Sequence, residues 1–273
     1  MSKFAGHEPN LQKLVFLFLL IIFSESLSAG TASENFQPHR AFYKMTMGSS
    51  KVNSGIIGVD GRMIFEWRST CDAWVVEQRY VMSYQRDQGN ETHTDTEFSA
   101  WENKDGERYK FYVKNKSLDT KSKIEGVANY SPKTRSGAVL FQTPKEIKYN
   151  LPSNTMFPSN HTFFLLDAAK AQKKLLVVPV FDGSEIQTAI SVSAVIGKQK
   201  VLRKPKHALL SGNYWPIRMA FFSPAEKQIE PEYEITINLH SNGVVSALIL
   251  DYGDIIIDVE LVELNFLEHS FCK

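Results

Sequence analysis

Few residues in this chain are of types and spacings that do chemistry. Glu91, His93, Asp95 and Glu97 alternate with Thr92, Thr94 and Thr96, so a strand would set the four in a row on one face. Carboxylates flanking an imidazole could ligate a metal or relay a proton. The adopted reading is a solvated strand face, since acids and a histidine on the wet side of a sheet need no further cause. His161 stands near the start of a helical segment, where a neutral imidazole usually satisfies a local backbone group. A nucleophilic Cys71–His161 pair would conflict with cysteine pairing and is set aside. There is no G-x-S-x-G, Gly-rich phosphate loop, H-E-x-x-H or C-x-x-C. The expectation is therefore no catalytic residues, no metal ligands and no cofactor.

The two cysteines, Cys71 and Cys272, take their meaning from the compartment. A polar start with Lys3 and Lys13 precedes LVFLFLLIIF at residues 14–23, and the small-residue stretch SESLSAGTA follows. These are the three parts of a secretory signal peptide. Ten apolar residues fall short of the roughly 20 that span a bilayer. Residues 1–32 are read as the cleaved signal, with Ser28, Gly30 or Ala32 as the last residue removed, and residues 33–273 as one domain. No cysteine follows the apolar run to carry a lipid anchor. Two thiols in an oxidising compartment usually pair, so a Cys71–Cys272 disulfide is expected. Four N-x-S/T triplets, at Asn90, Asn115, Asn129 and Asn160, would take glycans only in a eukaryotic source.

The elements that would position these residues are mostly strands. Tyr233, Ile235, Ile237 and Leu239 alternate with polar residues, as do Tyr109, Phe111 and Val113. Trp74, Val76, Tyr80, Met82 and Tyr84 share another face. Period two with one wet face describes antiparallel sheet. Asp60-Gly61, Asp105-Gly106, Asp182-Gly183 and Asn242-Gly243 are expected turns. Gly55, Gly58 and Gly61 suggest a turn and bulges in a curved strand. In residues 254–266 the apolar set switches face at Val262, which predicts a further bulge. Residues 159–174 are expected to be helical, with a cap at Ser159 or Asn160 and lysines in the last turn. Trp101 and Trp215 are expected in the core. The fold class is all-β: a single antiparallel, strongly curved, open or spiral-like β-barrel with one capping helix.

Composition agrees. The chain of 273 residues is 43% hydrophobic and 22% charged, with 18 Phe, 10 Tyr and 4 Trp, enough apolar surface for a core. Its 31 basic and 30 acidic residues leave a formal charge of +1. No global surplus exists to hold nucleic acid or an anionic membrane, so neither is an expected partner, and no stable membrane anchor is expected.

Several runs, read in order, resemble the EipB family of periplasmic cell-envelope-integrity proteins. They include SGIIGVDGRMIFEW at 54–67, CDAWVVEQR at 71–79, FSAWENKDG at 98–106 and WPIRMAFF at 215–222. Asn242-Gly243 and the late Cys272 extend the likeness, which covers residues 39 to 273. It implies a soluble periplasmic protein of a Gram-negative envelope, a spiral-like barrel, and a disulfide between the early cysteine and the late one. It also implies a role in envelope integrity under stress without catalysis, cofactor or ligand. Contacts with another periplasmic or envelope protein are the expected mode. The alternative is a carrier or sensor of a lipid or other apolar molecule within the curved sheet, lined by alternating aromatics.

Overall fold

The computed structural model describes residues 32–89, 91–117, 120–223 and 229–270. Alternation in the sequence becomes strands that bury every second side chain. The first wing is a meander of antiparallel neighbours: β1 (His39–Ser50), β2 (Ile56–Ser69), β3 (Ala73–Arg86), β4 (Glu91–Asn103), β5 (Arg108–Lys116), β6 (Lys121–Ser131), β7 (Ser136–Thr143) and β8 (Ile147–Leu151). Helix α1 (Pro158–Lys170) follows. The second wing holds β9 (Leu175–Val180), β10 (Ile190–Ile196), β11 (Lys200–Val201), β12 (Asn213–Phe222), β13 (Tyr233–His240), β14 (Val245–Asp251) and β15 (Ile255–Phe266). β15 returns to pair with β1, so one sheet runs β8 through β1 to β15 and on to β9, with β11 beside β12.

The sheet curls without closing by strand pairing. Its outer strands, β8 and β9, are instead linked through the segment before α1. The Met156 N–H donates to Pro179 O at 2.9 Å, and the Phe181 N–H donates to Met156 O at 3.0 Å. Thr188 Oγ1 donates to Asn150 O on β8 at 2.7 Å.

Local devices fit the curvature. Phe42 faces Glu263 while Tyr43 faces Leu261, which leaves Val262 as the bulged residue, 68% exposed. Gly243, at φ +90°, turns β13 into β14, as Asn242-Gly243 predicts. Asp60-Gly61 departs from expectation: both lie inside β2, paired with β1 and β3. A Cβ at Gly61 would sit 2.7 Å from Met82 Cγ and 2.8 Å from Val81 O, so close approach, not a turn, selects glycine there.

Helix α1 is more than a lid. Its Phe163, Leu165, Leu166, Ala168 and Ala169 share one apolar cluster with Trp67 and Trp74 of the first wing and Val192, Ile217 and Leu239 of the second. Each large side chain so buried contributes about 1.5–3 kcal/mol. Trp215 is buried as expected, whereas Trp101 is half-exposed on the outer face, with the Lys110 ammonium 5.4 Å from its ring centre.

Candidate functional site

β4 does place Glu91, His93, Asp95 and Glu97 along its outer face, but cross-strand neighbours occupy them. The His93 Nδ1 lies 2.7 Å from Ser83 Oγ, and its Nε2 lies 3.7 Å from the Glu91 carboxylate. Arg79 donates two hydrogen bonds of 2.9 Å to Asp95, and these hold its carboxyl below the ordinary value. Lys114 donates to Glu97 at 3.2 Å. Next along the outer face, Glu66 accepts from both Arg40 and Arg68, and Arg68 reaches Glu77 at 3.1 Å. This wall is a lattice of ion pairs, not a converging constellation.

Cys71 sits in the turn between β2 and β3. Thr70 organises that turn: its N–H donates to Ala73 O at 2.8 Å, and its hydroxyl donates to Asp72 at 3.0 Å. The far end of the chain comes back to this place. The Leu267 N–H donates to Pro38 O at 2.9 Å, and Ser270 Oγ donates to Ser69 O at 2.9 Å. Cys272 lies outside the described residues, as do residues 1–31 and with them nearly all of the expected signal segment. Among the described residues no cysteine is free.

The most elaborate polar arrangement is one that the sequence pattern does not announce. Glu102, 1% exposed, points inward from β4 and caps α1. The Ser159 N–H donates to its Oε2 at 2.7 Å, while the Asn160 N–H and Nδ2 donate to Oε1 at 2.9 and 2.6 Å. The expected local cap is absent: Phe157 occupies the N-cap and makes no side-chain cap bond. A carboxylate at a helix N-terminus answers both the orphan N–H groups and the dipole. Burial nevertheless outweighs those bonds and pushes its carboxyl up to about 7. One sequence feature could have revealed Glu102: it falls on the inward set with Phe98 and Ala100, where an acid must have a partner.

Around this cap the rings of Phe36, Trp67, Trp74 and Phe163 interlock, with Trp67 and Phe163 stacked at 5.3 Å. His161 differs from expectation. It is 6% exposed, its Nε2 has no hydrogen-bond partner, and burial pushes it down to about 4. His39 is lowered by burial as well. Two grooves indent the outer face, one of about 830 Å³ over β6–β8 with Arg108, Asn129, Leu140 and Lys148 in its lining. Both grooves are open to solvent.

The geometry can be set beside known proteins. The family model described as EipB-like matches residues 31–268. The cell envelope integrity protein EipB of Brucella abortus (strain 2308) is 30% identical over 261 residues, covering 92% of this chain and 91% of that protein. The crystal structure of a beta-barrel-like protein of a domain of unknown function from Brucella abortus superposes with a TM-score of 0.80 at 28% identity. It covers 85% of this chain and 99% of that one.

Proposed function

The chain belongs to the EipB-like family, and we propose that it supports envelope integrity as a periplasmic, non-enzymatic protein acting through contacts with other envelope proteins. The family carries the envelope role. One observation supports the non-enzymatic part: the acid–histidine row on β4 is bound to Ser83, Arg79 and Lys114 on neighbouring strands. The space that a lipid carrier would need is where α1 packs, which favours protein contacts over carriage.

The proposal includes export by residues 1–32 and a Cys71–Cys272 disulfide. Ser270 bonded to Ser69 supports the latter, since it brings the chain within two residues of each cysteine together. Thiol titration of unfolded, unreduced protein should find none; finding two would remove the clasp.

Complementation tests the whole reading. Deleting the gene should sensitise cells to detergent, and wild type, His93→Ala and Glu91→Ala should each restore growth. A His93→Ala protein present at normal level that fails to restore growth would sink the non-enzymatic reading.

A further inference from the structure

At the end of α1 the character of the surface changes. Leu175, the first residue of β9, is the cross-strand partner of Val195 on β10, and the Ile196 N–H donates to Lys174 O at 2.9 Å. The exit of α1, the start of β9 and the end of β10 therefore form one corner. The chain leaves this corner through Lys198 and Lys200, the latter opposite Tyr214 on β12. Residues 170–178 and 195–206 hold eight Lys or Arg and no Asp or Glu, in a chain whose formal charge is +1. Lys170 has Asp167 at 4.0 Å. Lys173, Lys174, Lys198 and Lys200 are exposed, and among the described residues none forms an ion pair.

Between these cations stand aliphatic side chains facing water. Leu175 is 62%, Val177 61% and Val195 54% exposed, and strand register puts all three on one face. Neither feature is explained by stability. Exposed aliphatics gain nothing in water, and lysines gathered without acids repel one another.

We propose that this corner docks reversibly on an anionic lipid surface of the envelope. The aliphatic side chains would enter the boundary between headgroups and acyl chains, while the lysines meet the phosphates. The composition argues against a protein partner at this place. Protein interfaces are enriched in aromatics and Arg and depleted in Lys, and these two segments contain seven Lys, one Arg and no Phe, Tyr or Trp. The formal charge of +1 conceals the site, because the neutralising acids lie elsewhere on the surface. This inference goes beyond the proposed function and rests on it only for the envelope location, which vesicle binding does not test.

Co-sedimentation of the purified protein with phosphatidylcholine vesicles, with and without phosphatidylglycerol, tests it. Binding should require phosphatidylglycerol and weaken as salt rises. Combining Lys173→Gln, Lys174→Gln and Lys198→Gln should weaken it by about a hundredfold. Leu175→Ser with Val177→Ser should weaken it as well, with the thermal midpoint unchanged to confirm the fold. Equal binding to both vesicle types, or triple-variant binding equal to wild type, would overturn the proposal. So would aliphatic-variant binding equal to wild type, which would leave a cationic surface without lipid insertion. Lysine-dependent binding to polyglutamate in place of vesicles would assign the corner to an acidic protein and likewise overturn it.

Discussion

The two ends of α1 solve the same electrostatic problem in opposite ways. At its N-terminus the N–H groups that lack a partner within the helix meet one buried carboxylate, Glu102, beside a nest of aromatic rings. At its C-terminus stand Lys170, Lys173 and Lys174, and the latter two are exposed without an ion pair among the described residues. Each arrangement complements the helix dipole. The first is made from a partner 57 residues away and holds the fold together; the second is local and leaves its charge facing outward. The contrast separates residues committed to stability from residues still free to meet something else.

The sharpest way to break this contrast is to hollow the N-terminal end. Phe163→Ala should destabilise the protein by about 3–5 kcal/mol in urea unfolding, because it removes a ring stacked on Trp67 and packed against Trp74 and Phe36. Removing the exposed Lys174 side chain should stay within about 0.5 kcal/mol. Similar costs at both ends would erase the distinction.

A second prediction uses pH, and the two buried groups oppose each other. The Glu102 carboxyl is raised from 4.5 to about 7 in the folded protein, so the native state holds that proton more tightly than the unfolded chain. Its contribution to stability is full below pH 4.5 and is lost as pH rises through about 7, by about 3 kcal/mol. His161 is lowered from 6.5 to about 4, so its contribution is full above pH 6.5 and is lost as pH falls towards 4. Glu102→Gln should therefore flatten the decline on the rising side, and His161→Phe the decline on the acid side. Denaturation midpoints across this range would read both, and unchanged slopes would mean that neither group titrates inside the fold.

The smallest effect concerns the other end. Gln172 sits at φ +58°, with its N–H donating to Ala169 O and the Lys173 N–H donating to Ala168 O. That bond pattern closes a helix through a left-handed residue, usually glycine. Gln172→Gly should stabilise by up to about 1 kcal/mol, seen as a raised thermal midpoint. A lowered midpoint would mean that the glutamine side chain makes up the backbone strain.

Legibility in the sequence followed the range of the interactions. Strands β3, β5 and β13 and the bulge at Val262 were readable because alternation reports burial residue by residue. The helix is readable, but its pattern runs to 174 where the helix ends at Lys170, since nothing in a glutamine announces a left-handed turn. The role of Glu102 is not legible in the sequence because its partners lie on a helix far along the chain, although its inward phase is visible. The basic corner escaped a whole-chain charge count, which sums over positions that only strand register brings together or keeps apart. The ion pairs of Arg79 with Asp95 and Lys114 with Glu97 show the opposite case, where register cancels charge locally.

The link at Met156 has one further consequence. A ladder of strands is a polymer that grows at its ends, and an unprotected terminal strand invites addition of another chain. Here the molecule supplies its own end-group: the backbone of Met156 fills hydrogen-bonding positions of Pro179 and Phe181 beside β9. Pro179, within β9, has no N–H to offer an incoming strand. The sheet, fifteen strands among the described residues, can thus remain a finite object, terminated from within its own covalent chain.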